Sequence, residues 1–171
     1  YCGGLNNGAS IRVSRNAGWA AGEAMASGDI TIDGYAGVSL GASMRGGTIH
    51  VKGDAGPRCG VAMKGGDIIV EGKIGYLSGF MAHAGRIIAL GGADEACADS
   101  LWGGEVWVAG PIASLGVDSK TVQPADNEVQ EIEMLLATRG LDDASRTWQK
   151  IVSAQRLWHF ESRDANAWLM I

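Results

Sequence analysis

Two histidines are the side chains in this sequence best suited to proton transfer near neutral pH. His50 alternates with Ile49 and Val51, which predicts that its side chain points outward from a strand. His83 stands where a recurring methionine gives way to Ala82, so it is a candidate for contact with a partner protein. Hexapeptide acyltransferases use a histidine base between coils. A lone histidine is nevertheless more often structural, and catalysis is the weaker interpretation for both.

Charged side chains also recur at intervals of nineteen residues or multiples of nineteen, and carboxylates on neighbouring strands could serve a glycoside-cleaving enzyme. One series contains Asp33, Lys52 and Glu71, and the other contains Asp29, Asp67, Arg86 and Glu105. Because both series mix positive and negative charges, cross-strand pairing on a solvated face explains them better than an active site does.

The three cysteines, Cys2, Cys59 and Cys97, are far apart in sequence and form no C-x-x-C motif. Neither a disulfide framework nor a metal site built from this chain is therefore predicted. Cys59 lies at a glycine-rich corner with no histidine close in sequence. We interpret it as a buried or half-buried thiol rather than a nucleophile.

Glycine accounts for 27 of the 171 residues, yet neither phosphate-binding glycine motif fits. The G-K-[ST] step of a Walker loop is missing, and no helix follows the glycines as a dinucleotide fingerprint requires. The formal net charge of −5 gives no basic surface suited to a nucleic acid. There is no apolar run long enough to cross a bilayer and no visible signal peptide, so we expect a cytoplasmic protein.

The glycines instead mark a repeat of nineteen residues that runs without insertion from about residue 3 to residue 110. Two columns of structural glycines are Gly28, Gly47, Gly66, Gly85 and Gly104, and Gly34, Gly53, Gly72, Gly91 and Gly110. Apolar columns run beside them, and they include Ile30, Ile49 and Ile68, and Met25, Met44 and Met63. The I-x-V step of each unit has the period of a strand, and the glycines exclude a helix.

Such a unit cannot bury its apolar side chains alone, so stacking of the units is predicted. The fold class is an all-β solenoid, a parallel β-helix of about six nineteen-residue coils over residues 1–118. Left-handed hexapeptide helices use about eighteen residues per coil, whereas here the glycine spacing divides as 6, 6 and 7. A right-handed β-helix is therefore the favoured form.

Residues 119–171 are predicted to form a small helical appendage. A first helix follows Pro124, with Val129 and Ile132 on its apolar stripe and Gly140 at its end. A second helix is predicted from Asp142 or Asp143, with Trp148, Ile151 and Val152 facing inward. These helices are interpreted as a cap over the open end of the solenoid, where strand edges would otherwise stay unpaired.

The end of the chain is rich in large apolar residues. Together with His83, the residues Trp158, His159, Phe160 and Trp168 are candidates for a partner interface. Packing of this tail against the solenoid is the alternative.

The repeated unit, as at residues 41–56 and 60–75, resembles the GXGXG family. That family includes the C-terminal domain of the glutamate synthase large subunit, related stand-alone subunits, and the β-helical subunit of formylmethanofuran dehydrogenase. The resemblance covers roughly residues 3–118. The sequences N-A-G-W at 16–19, R-C-G-V-A-M-K at 58–64 and S-A-x-x-L-W-H-F at 153–160 look most like the stand-alone glutamate-synthase-type subunits.

The resemblance implies a right-handed β-helix without catalytic, cofactor-binding or metal-binding residues of its own. The expected partners are a class II glutamine amidotransferase-like subunit and a glutamate-synthase-like subunit that carries FMN and an iron–sulfur cluster. Two alternatives stay open at this point. One is a scaffold of a formylmethanofuran dehydrogenase or formyltransferase/hydrolase complex, and the other is a free-standing β-helix enzyme.

Overall fold

The computed structural model describes residues 1–143 and 145–156, and these residues form a mostly β structure with one short helix. The strands in chain order are β1 (Asn7–Val13), β2 (Ser27–Ile32), β3 (Thr48–Val51), β4 (Lys64–Val70), β5 (Lys73–Ile74), β6 (Ala84–Ala89), β7 (Gly92–Ala93), β8 (Glu105–Val108), β9 (Ser119–Val122) and β10 (Gln149–Ser153). The helix α1 (Asp126–Ala137) lies between β9 and β10.

The predicted solenoid is confirmed, as a parallel β-solenoid of about five turns. Strands β1, β2, β3, β4, β6 and β8 pair in parallel in that order. Ile30 is the register partner of Ile49, and Ile49 is the partner of Ile68, so each pairing advances by one repeat. A second sheet of β5 and β7 and single bridges such as Ala36–Ala55 join the coils on another side.

The core inside the solenoid consists of the predicted ladders. Met25, Met44 and Met63 are fully buried, and so are the aligned isoleucines Ile30 and Ile49. Because each coil places the same side chain over the next, the apolar columns form one continuous cluster from Ala17 to Val108, and Ile151 joins it.

The first predicted helix is confirmed. The N-terminus of the helix is stabilised by Glu128, whose carboxylate accepts a hydrogen bond from the Ala125 amide at 2.9 Å. Ile132 and Leu136 form the buried side of the helix. Gly140 follows it at φ +72°, a left-handed conformation that suits glycine after a helix end.

The second predicted helix is wrong, because residues 149–153 form strand β10. This strand pairs antiparallel with β8 and β9 in the main sheet, with Ile151 opposite Val106. The β-branched pair Ile151–Val152 favours a strand, and the edge of β8 supplies a partner for it. Of the predicted inward side chains, Ile151 and Trp148 are buried, whereas Val152 is only half-buried.

The predicted position of the cap is also wrong for α1. The helix packs on the outer face of the main sheet. Its residues Ile132 and Leu136 form a second hydrophobic cluster there with Ile69, Trp107 and Trp148. The strand edge at the last coil is covered by β10 instead. Among the described residues, no helix has the length and apolar character needed to cross a membrane.

Candidate functional site

His50 lies on β3 and faces outward from the solenoid core, as the alternation predicts, but it is not exposed. It shares its column with Ile69, its register partner, on the side of the sheet that α1 covers further along. Only 4% of His50 is exposed, and its Nε2 lies 2.9 Å from Glu71 Oε1. A substrate cannot reach an imidazole buried in this way, so the geometry favours a structural role.

His83 is half-buried beside β6, and its ring stacks on Trp102 with the centroids 5.7 Å apart and the planes at 12°. Burial lowers the pKa of the His83 imidazole, and the nearby Lys64 ammonium lowers it further. The ring is therefore neutral near pH 7. This combination of a flat, partly exposed ring pair and a neighbouring cation suits contact with another molecule.

The two charged series form cross-strand pairs, as predicted. Lys52 Nζ lies 2.7 Å from Asp33, Arg12 also pairs with Asp33, and Arg86 pairs with Asp67 at 2.6 Å. The hydrogen bonds from Lys52 and then Arg12 lower the pKa of the Asp33 carboxyl. A carboxylate held ionised between two cations is unsuited to act as a general acid near pH 7.

The other carboxylates of these series are also paired. Asp29 pairs with Arg139, which follows α1, and Glu105 pairs with Lys150 of β10 at 2.7 Å. Glu71 Oε1 lies 2.9 Å from Nε2 of His50. The pairs of Asp29 and Glu105 attach the C-terminal segments to the outer face of the sheet.

Cys59 and Cys97 are buried in the solenoid core, and both stay protonated at neutral pH. Burial raises the pKa of each thiol to about 12, and Cys97 contributes further to the shift at Cys59. The prediction of a buried Cys59 is confirmed. Cys2, in contrast, is exposed.

The glycine columns lie where one coil presses on another. A Cβ on Gly47 would stand 2.6 Å from Met25 Cε and from the Gly28 carbonyl, and a Cβ on Gly53 would stand 2.9 Å from the Gly34 carbonyl. Contacts this short exclude any side chain. These glycines therefore allow close stacking of the coils and do not form a phosphate cradle.

Two of the grooves on the described part of the chain have polar side chains in their lining. One, of about 370 Å³, runs along β5 and β7 and is lined by Asp54, Lys73 and Asp94. The other, of about 330 Å³, lies between the last coil and the β9–β10 pair, beside Trp102, Lys120 and Gln155. In the part of the chain described here, no group of three or more His, Cys, Asp or Glu side chains is arranged to hold a metal ion.

Comparison with known proteins finds no family model that matches the chain and no similar curated protein. The functional interpretation therefore depends on the residues and their arrangement.

Of the predicted interface residues, the structure places only His83. Trp158, His159, Phe160 and Trp168 lie outside the described residues. The sequence interpretation missed Lys150, whose ammonium lies within 2.7 Å of both Glu105 and Glu128 and 5.2 Å from the Trp107 ring centroid. Its position opposite Trp107 depends on β10 being a strand, which the helical interpretation concealed.

Proposed function

We propose that the chain is a non-catalytic scaffold subunit of a glutamate-synthase-like complex, in which it holds two catalytic subunits at a fixed separation. The observation that carries this proposal is that several side chains able to act in catalysis are buried or held in ion pairs. Asp33 and Asp67 are held in ion pairs, His50 is buried against Glu71, and Cys59 is a buried thiol. Each of these groups stabilises the solenoid.

The repeat supports a rigid spacer. Parallel strands lie about 4.8 Å apart, so each added coil lengthens the rod by a fixed step. Glycine at the coil-to-coil contacts leaves little room for the coils to slide, since the neighbouring backbone fills the space of a side chain. A right-handed winding of six coils, which the glycine spacing of 6, 6 and 7 favours, would make a rod of roughly 24 Å from first coil to last.

The resemblance to the GXGXG family supports a more specific assignment. We assign the chain to the β-helical subunit of methylamine–glutamate N-methyltransferase (N-methylglutamate synthase), a cytoplasmic enzyme of methylamine and glutamate metabolism. The assembled partners would be a class II glutamine amidotransferase-like subunit and a subunit carrying FMN and an iron–sulfur cluster. All cofactors would belong to the latter subunit, and the reaction would join methylamine to glutamate-linked chemistry.

The test is native mass spectrometry together with an absorbance spectrum of the chain isolated from its own cells. The proposal predicts a large hetero-oligomer with flavin absorbance and an amidotransferase-like chain. A partner with an amidohydrolase-like metal site and no flavin would instead support the formylmethanofuran dehydrogenase type of complex. A colourless monomer or homo-oligomer would rule out both scaffolds.

A further inference from the structure

Four side chains outside the charged series occupy one position of the repeat on successive coils: Arg45, Lys64, His83 and Trp102. Their backbones are placed alike, because each amide donates to the preceding coil, as Lys64 does to the Met44 carbonyl at 2.6 Å and His83 to the Met63 carbonyl at 2.8 Å. With about 4.8 Å between coils, the four positions span roughly 14 Å. We call this row the basic–aromatic ridge.

The cationic half of the ridge is not neutralised within the described part of the chain. Arg45 and Lys64 are exposed, and neither forms an ion pair with any described residue. The carboxylates of the nearby outward column already have other partners: Asp29 pairs with Arg139, Asp67 with Arg86, and Glu105 with Lys150. In a chain of net charge −5, the ridge therefore carries a local positive charge.

The other half of the ridge is aromatic. His83 and Trp102 stack almost in parallel, and both are partly exposed. Burial and then Lys64 lower the pKa of His83, so the imidazole is neutral near pH 7. The His83 ring is thus a neutral, partly exposed aromatic group next to two cations.

A strip without bulky side chains runs beside the ridge. Gly46, Gly65 and Gly103 follow the ridge residues directly, and a Cβ on each would stand within 2.7 Å of a carbonyl of the preceding coil. Coil packing thus favours small residues at this position, where Ala84 follows His83, and an extended segment can approach the backbone beside them.

We propose that the basic–aromatic ridge binds an acidic, extended segment of a partner protein. An extended chain rises about 3.3 Å per residue, so roughly 14 Å accommodates four or five residues. Two carboxylates of the segment pair with Arg45 and Lys64, and an apolar side chain of the segment packs beside the half-buried His83 ring. The identity of the partner rests on the scaffold function proposed above, whereas the chemistry of the segment rests on the ridge alone.

Ala26 is a suitable position for a test, because it is exposed and occupies the same repeat position one coil before Arg45. The photo-reactive amino acid benzoylphenylalanine replaces Ala26 in the full-length chain. This variant is expressed in the protein's own cells and irradiated, and the cross-linked peptides are identified by mass spectrometry. The expected product contains a partner peptide with at least two Asp or Glu within five residues. The double variant Arg45→Glu with Lys64→Glu should lower the cross-linking yield roughly tenfold to hundredfold, because like charges then face each other.

Lys73→Glu is the matched control, because Lys73 is an exposed cation on β5, away from the ridge. It should leave the yield unchanged, and thermal melts should show that the double variant and the control both fold like the parent. Cross-linking to a nucleic acid, to a peptide without clustered acids, or to nothing would overturn the ridge proposal. So would an unchanged yield in the double variant.

The two proposals can fail separately. If a flavoprotein co-purifies equally with the parent and with the double variant, and no acidic peptide is cross-linked, the ridge proposal fails and the scaffold function stands. If an acidic peptide is cross-linked but the complex contains no flavoprotein, the ridge proposal stands and the scaffold assignment fails.

Discussion

The Lys150 ammonium lies 2.7 Å from the Glu105 carboxylate and joins the C-terminal strand β10 to the last coil of the solenoid. Glu128 of α1 accepts from the same ammonium at 2.7 Å, so one cation ties together the coil, the helix and the strand. Burial alone would lower the pKa of Lys150, but the hydrogen bonds to Glu105 and Glu128 outweigh it and raise the pKa. The stabilisation from Lys150 is therefore present at neutral pH and is lost only as the pH rises through that raised value.

Replacing Lys150 with Met should destabilise the protein by about 1–3 kcal/mol, because Glu105 and Glu128 lose their shared partner while both stay partly buried. Urea unfolding followed by tryptophan fluorescence measures the change, since Trp107 packs beside Lys150. Lys120→Ala is the control, because Lys120 is exposed on the neighbouring strand, and it should shift stability by less than about 0.5 kcal/mol. Equal losses of stability in the two variants would show that the ion pairs of Lys150 with Glu105 and Glu128 do not stabilise the protein.

The Asp33 carboxyl should titrate below its ordinary value of 3.8, because Lys52 and Arg12 both hold its ionised form. Lys52→Met should raise the pKa of Asp33 more than Arg12→Met does, since the Lys52 hydrogen bond is the larger cause. A carbon-detected NMR titration of the carboxyl checks both values. Because the folded-state pKa is depressed, the stabilisation is present above about pH 3.8 and is lost as the pH falls through the folded value. A pKa of Asp33 unaffected by either variant would show that the pairs are absent in solution.

Alanine at two glycines should distinguish a glycine that the stacked coils require from one that they do not. Gly66 has φ +85°, and a Cβ there would lie 2.7 Å from the Gly47 carbonyl oxygen of the preceding coil, so Gly66→Ala should cost about 2–4 kcal/mol. Gly18 recurs at intervals of nineteen residues as Gly37, Gly56 and Gly75, but a Cβ on Gly18 would meet nothing within 4 Å. Gly18→Ala should therefore change stability by less than about 1 kcal/mol. Chemical denaturation measures both variants, and similar losses would refute the stacking explanation.

The three thiols should differ sharply in reactivity. Cys2 is exposed and should react with Ellman's reagent in the native protein, whereas Cys59 and Cys97 are buried and protonated and should react only after unfolding. The native signal should disappear in the Cys2→Ser variant. Fast native labelling that survives this substitution would show that the core opens at Cys59 or Cys97.

The periodic part of this fold could be predicted from the sequence, because a repeat converts spacing directly into neighbours. Ile30, Ile49 and Ile68 recur at one position, and the structure stacks them in the core as expected. The Ile151–Val152 pair could not be assigned in the same way. A short apolar run fits either a helix or a strand, and only the unpaired edge of β8 decides between them.

The candidate site was harder to predict than the fold. The alternation around His50 correctly gives its direction, but its burial depends on what covers that face, which no local pattern encodes. A signal was present in the same column, where the outward residues become Ile69, Ile88 and Trp107 toward the last coil. Outward apolar residues on neighbouring strands indicate that another element packs there, and α1 does so.

His50 provides a test of whether this chain contributes a catalytic histidine. His50→Gln keeps a polar side chain but disturbs the 2.9 Å contact with Glu71, so it should lower the unfolding free energy by roughly 1 kcal/mol. Turnover of the complex proposed above should stay within about twofold of the parent, because a histidine only 4% exposed cannot contact a substrate. Size-exclusion chromatography of the same sample shows whether assembly is intact. A hundredfold or larger loss of turnover in an intact complex would assign His50 to catalysis and would contradict the scaffold function.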